Sequence, residues 1–224
     1  MRLKFSKSAI SISGCILFGL LAVTSANANQ SQVQSLTNFT KNDPTYSDGK
    51  LTSCALQFST IFTDSSLRGR AFFAEGSVGF VFLNGEAMFS PFTKVAVSER
   101  LSVAGKISAS PLAIQNAVIA GDNGLETAMF ESVSLQSPIN SLAILTKYRM
   151  NDKSNERSFV ELATSNAFTV SFNMDRNPTR YEIPVDLTLA TISDGKEVHS
   201  NEAVLGFTNC LLEMTKQAKR KSEK

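Results

Sequence analysis

Short apolar runs alternating with polar residues, broken at intervals by Gly, Asn, Asp and Pro, dominate the chain from Leu51 onward. This is the pattern of half-buried strands separated by turns. Its clearest unit is Ser77 to Leu83, then Asn84-Gly85, then Glu86 to Ser90. Asn-Gly suits a two-residue type I′ turn because both central positions need positive φ. That turn would pair Leu83 with Glu86, Phe82 with Ala87 and Phe80 with Phe89. Phe80, Phe82 and Phe89 then share one face, with Val81, Leu83 and Met88 on the other.

Asp194-Gly195 predicts a second hairpin, between 185–193 and 196–205. In its first arm Val185, Leu187 and Leu189 alternate with Asp186, Thr188 and Ala190. Further strands are expected over 54–62, 93–98, 101–108, 127–135, 141–149, 158–163 and 167–174. Segment 112–120, opened by Ser110-Pro111 and closed by Gly121, carries the end signals of a short helix. Its Ile114, Val118 and Ile119 suit a strand equally well. Asn209 can cap a C-terminal helix over 210–221, with Cys210, Met214 and Ala218 on one stripe and Lys216 to Lys221 near the negative end of its dipole. The expected fold is therefore mainly β, an antiparallel sandwich or barrel with a short C-terminal helix.

The N-terminal 50 residues read differently. Arg2, Lys4 and Lys7 precede an apolar run from Cys15 to Val23, and Ala26-Asn27-Ala28 supplies small residues for a cleavage site. That order predicts a secretory signal peptide over 1–28, too short in its apolar part to span a bilayer. Ile12-Ser13-Gly14-Cys15 is similar to the motif that precedes lipid attachment in bacterial lipoproteins. Here the apolar run follows the cysteine, which argues against lipidation. Residues 29–50 are polar, with turn signals at Asn42-Asp43-Pro44 and Ser47-Asp48-Gly49, and read as a linker or arm. Residues 51–224 are then expected to form a single mainly-β domain ending in a basic tail. The expected location is periplasmic or secreted.

Removing the signal alters the charge picture. The whole chain has 22 basic and 20 acidic residues, net +2. Without residues 1–28 the balance is 19 to 20, and the last nine residues hold five of those basic groups and one acid. The body is acidic, so the basic stripe of a nucleic-acid-binding surface is missing. Membrane contact is expected, if anywhere, only through the tail. Loss of Cys15 with the signal leaves Cys54 and Cys210, and an exported pair predicts one disulfide.

Chemistry-bearing motifs are sparse. His199 is the sole histidine, and among Glu197, Ser200 and Glu202 it reads as a solvated strand residue. No nucleophile elbow, phosphate loop or dinucleotide fingerprint occurs. Asp122-Asn123-Gly124 with Glu126, and Asn151-Asp152 with Asn155-Glu156, offer oxygen atoms but lack EF-hand spacing, so polar turns are expected and no metal or cofactor. Two clusters are candidate binding surfaces: Arg68 and Arg70 beside Phe72, and Arg176 with Arg180 beside Tyr181. The sixteen phenylalanines fit a β core, or the lumen of a barrel that carries an apolar ligand. The absence of tryptophan counts against a sugar-stacking platform. The expected function is a non-enzymatic binding or assembly component of a cell envelope or secreted structure, partnered by another envelope or secreted protein. A barrel carrier of a lipid and a carboxylate-dependent hydrolase are the alternatives.

Overall fold

The computed structural model describes residues 33–64, 70–82, 89–103, 106–136, 142–175, 179–193 and 196–222. The predicted signal segment 1–28, Arg68, Arg176 and the turns expected at Asn84-Gly85 and Asp194-Gly195 lie outside them. Twelve strands and two longer helices are named within the described residues. Strands β1 (Val33–Ser47), β2 (Lys50–Asp64), β3 (Arg70–Phe82) and β4 (Phe89–Val103) form an antiparallel meander. Along the far edge of β4, β5 (Lys106–Leu112) pairs with one end and β8 (Ile144–Tyr148) with the other, and β7 (Ser132–Gln136) adds to β8. After Ala113 the chain leaves this large sheet, and β6 (Ile114–Gly121) joins β9 (Ala167–Met174) and β10 (Arg180–Asp186) in a second sheet of order β10-β9-β6. A ribbon of β11 (Leu189–Ser193) and β12 (Lys196–His199) leads into α2 (Glu202–Ser222), while α1 (Lys153–Ala163) separates β8 from β9.

The period-2 pattern of the long strands explains the layering. On β2 the even positions Cys54, Leu56, Phe58 and Phe62 are buried, and the register places Phe80, Val78, Gly76 and Phe72 of β3 beside them. The small sheet turns Phe168, Val170 and Phe172 of β9, with Val185, Ile183 and Tyr181 opposite on β10, toward the same core. Edge-to-face contacts of Phe58 with Phe168, at 6.2 Å between centroids, and of Phe62 with Phe172, at 6.3 Å, stitch the sheets together. Each such buried phenylalanine contributes about 1.5–3 kcal/mol relative to exposure. The architecture is sandwich-like with no closed barrel.

The helices cover the remaining inner face. Phe159 of α1 sits edge-on to Phe80 and Phe130, at 5.4 Å each, and tilted against Tyr148. Phe207, Cys210 and Met214 of α2 are buried at helical spacing. Cys210 is disulfide-bonded to Cys54, and Gln217 Nε2 donates to the Leu51 carbonyl at 2.8 Å.

Several sequence expectations are corrected. The polar segment 29–50 contains the 15-residue β1, which pairs with β2 along its length apart from a register shift at Leu36. Its inner positions are polar, Thr40 near the Asp186 carbonyl and Asn42 against Gly206 of α2 with its Oδ1 buried and without a hydrogen-bond partner among the described residues, so no apolar run marks the strand. Asp48-Gly49 closes this hairpin with φ of +51° and +70°, as a two-residue I′ turn requires. The segment 158–163 is helix, since Phe159, Leu162 and Ala163 are buried at i, i+3, i+4 and Asp152 caps the first turn. Segment 112–120, where helix and strand signals were balanced, is strand apart from Ala113. The C-terminal helix begins at Glu202, where the Ser200 hydroxyl accepts the Glu202 amide at 3.2 Å, so Asn209 lies mid-helix. The expected strand 185–193 is interrupted at Leu187-Thr188. Finally, Phe82 pairs with Phe89 and Phe80 with Pro91, a shift of two residues from the expected register. An even shift preserves facing, and Phe89 accordingly contacts both Phe80 and Phe82.

Candidate functional site: the outward groove of the large sheet

With even positions of β2 and β3 turned inward, the odd ones face out, and on β4 the parity reverses. Register aligns these outward side chains in rows. Lys41 of β1 pairs with Gln57 of β2, Gln57 with Ser77 of β3, and Ser77 with Lys94 of β4. The next row is Phe39, Ser59, Glu75 and Ala96. Together with Thr40, Phe58 and Gly76 these residues line a groove of about 550 Å³. That volume lies within the range of about 300–1,000 Å³ found for small-molecule sites.

The groove carries uncommitted polar chemistry. Ser77 is 7% exposed as a residue, and its hydroxyl, which opens to the groove, has no hydrogen-bond partner among the described residues. Lys41, Lys94 and Glu75 are exposed, and none forms an ion pair among the described residues. Gln57 is oriented by donating its Nε2 to the Asp43 carboxylate. Phe39, 43% exposed, adds an apolar wall. Beneath the floor the Phe58 ring occupies the space where a Cβ at Gly76 would stand.

Two smaller cavities exist. One, of about 360 Å³, lies between Asn42, Leu187, Leu189 and the first turn of α2. The other, of about 270 Å³, lies beside an irregularity in β6 where Asn116 has φ of +53°, above Tyr148, whose hydroxyl bonds Thr93.

The residues singled out from sequence are dispersed. Phe72 is buried and stacked on Phe62 at 5.3 Å. Arg70 makes a two-nitrogen contact with the Glu99 carboxylate, its guanidinium 5.9 Å from the Phe72 ring centre. Hydrogen bonding to Glu99 raises the Arg70 pKa above its ordinary value; desolvation opposes this and the Glu99 charge adds to it. Arg180 pairs with Glu182 at 3.3 Å, and the neighbouring Tyr181 is buried, stacked on Phe172.

His199 Nδ1 lies 2.9 Å from Thr188 Oγ1 and 3.5 Å from Asp186, with Glu197 3.5 Å from Nε2. Thr188 donates its hydroxyl to Asp186 Oδ1 at 2.7 Å, leaving its oxygen to accept from the imidazole. That polarity is the reverse of a nucleophile activated by a base. The two oxygen-rich segments are turn and cap: Asn123 bridges the Leu125 amide and the Glu161 carbonyl, and Asp152 accepts the Asn155 amide. Among the described residues no group of three potential metal-ligating side chains occurs, and no helix is long and apolar enough to cross a membrane.

No family model, curated protein or solved structure matches the chain. The groove residues escaped sequence reading because they sit on four different strands. Lys41 lay in the segment read as an arm, and only the register brings it into line with Lys94.

Proposed function

We propose that the chain is an exported binding component of a cell envelope or secreted structure, with the outward groove of the large sheet as its binding face. The row Lys41–Gln57–Ser77–Lys94 carries this reading, because it sets unpaired charge and an unpartnered hydroxyl along one grooved surface. Export is supported by the basic, apolar and small-residue order of positions 1–28 and by a disulfide that suits an oxidising compartment. The groove's described lining has one carboxylate, Glu75, whereas hydrolysis by paired carboxylates needs two. The open sheets offer no closed lumen for an apolar cargo.

A photocrosslinking amino acid placed at Phe39, on the groove rim, tests the reading in producing cells, with Pro184 on the small sheet as control. The expected result is a mature chain beginning at Asn29, oxidised at Cys54 and Cys210, that forms a discrete adduct from position 39 and none from 184. Adducts from both positions, or none from 39, would remove the groove as the binding face. A chain that keeps residues 1–28 and reduced cysteines would remove export.

A further inference from the structure

We infer that the groove binds an acidic saccharide, seating a carboxylate over Ser77 between Lys41 and Lys94. This rests on the proposal that the groove is the binding face and narrows it to one ligand chemistry. Lys41 and Lys94 stand three strand spacings apart, about 14 Å at the usual inter-strand distance, with Ser77 adjacent to Lys94 in the row. The Ser77 hydroxyl, open to the groove, can donate to an anion held there, and neither lysine forms an ion pair among the described residues.

A bare anion fits poorly. It would leave most of the 550 Å³ empty. The Glu75 carboxylate in the next row, with Ser59 beside it, suits the hydroxyls of a sugar, which donate to carboxylates and exchange bonds with serine. With no tryptophan in the chain, Phe39 at the end of that row, its ring exposed, is the one aromatic face the described lining offers to a sugar. An extended peptide would dock by main-chain hydrogen bonds at a sheet edge, whereas the central strands β2 and β3 are already paired on both sides. A single-stranded nucleic acid needs a basic track with several stacking rings, and the described lining has two aromatic residues, one of them in the core.

Calorimetric titration of the oxidised mature protein decides the matter, with trigalacturonic acid, its methyl ester and inorganic phosphate as probes. The acid should bind, with the ester and phosphate each weaker by at least about tenfold, the scale of a lost hydrogen bond to a charged group. Lys94→Glu and Lys41→Glu should each weaken binding of the acid by about tenfold or more with the unfolding midpoint unchanged, and Ser77→Ala by about fivefold. Raising salt above about 0.1 M should weaken it further, because the lysines are exposed. Equal binding of the ester would overturn the role of the lysines, and equal binding of phosphate would reduce the groove to an anion site. No binding of the acid at millimolar concentration would overturn the saccharide inference outright. In that case a crosslink from position 39 would still uphold the groove as a binding face for another partner.

Discussion

Cys54 on the inner face of β2 is bonded to Cys210 in the middle of α2, joining positions 156 apart and holding the helix against the large sheet. The bond spans almost the whole described chain, so it restrains the unfolded ensemble strongly. Replacing both cysteines with alanine should lower the unfolding free energy by about 2–5 kcal/mol. Urea denaturation of the oxidised parent and the double variant measures the difference.

Phe159 is the point at which α1 is locked to the core. It is fully buried and meets Phe80, Phe130 and Tyr148, all with ring centres 5.4 Å away. Phe159→Ala should cost about 3–5 kcal/mol through lost burial and the cavity left behind. The same denaturation experiment reads it, with an unchanged m-value expected if the native state keeps its compactness.

Arg70 and Phe72 were grouped in the sequence as one candidate surface, yet they play separate parts. Arg70→Ala should change stability by less than about 1 kcal/mol, because its contact with Glu99 is largely solvated on the arginine side. Phe72→Ala, two residues away, should cost about 3–5 kcal/mol. A chemical-denaturation comparison of the two variants separates a surface ion pair from a core ring.

The floor of the groove depends on a residue with no side chain. Gly76 faces inward between Phe58 of β2 and Val95 of β4, and a Cβ there would collide with the Phe58 ring and the Lys94 carbonyl. Gly76→Ala should destabilise the fold by about 1–3 kcal/mol, the usual cost of overpacking. It should also perturb the amide NMR signals of Ser77 and Lys94 more than those of β9 and β10, because the displaced carbonyl belongs to β4.

The strands of the sandwich were legible where one face is apolar, as in Phe58 and Phe62 of β2 or Phe168, Val170 and Phe172 of β9. The disulfide followed from cysteine count and compartment alone. β1 was illegible because its inward positions Thr40 and Asn42 are polar although they border Leu187 and Leu189, so no apolar alternation marks the strand. Phe159-Val160 read as strand because two adjacent apolar residues dominate a short window. The decisive spacing to Leu162 and Ala163 is equally visible once Asp152 is read as a cap. The candidate site was least legible. Lys41, Ser77 and Lys94 lie on three strands and meet only through the cross-strand register, which the Asn84-Gly85 turn signal placed two residues off for β3 and β4 and which nothing in the polar Lys41 segment signalled.

Asp152 offers the sharpest test of that local lesson. Its side chain accepts the Asn155 amide at 2.8 Å, satisfying one of the donors a helix start leaves unpaired. Asp152→Ala should cost about 0.5–2 kcal/mol, whereas Asp152→Asn should lose much less because its carbonyl oxygen can accept the same bond. Hydrogen exchange gives the residue-level readout: the Asn155 amide should exchange faster in the alanine variant and near the parent rate in the asparagine one. Because α1 carries Phe159 into the core, loosening should stay confined to the first turn. Faster exchange reaching Leu162 would mean that the cap, and not the aromatic contacts of Phe159, holds the helix in place.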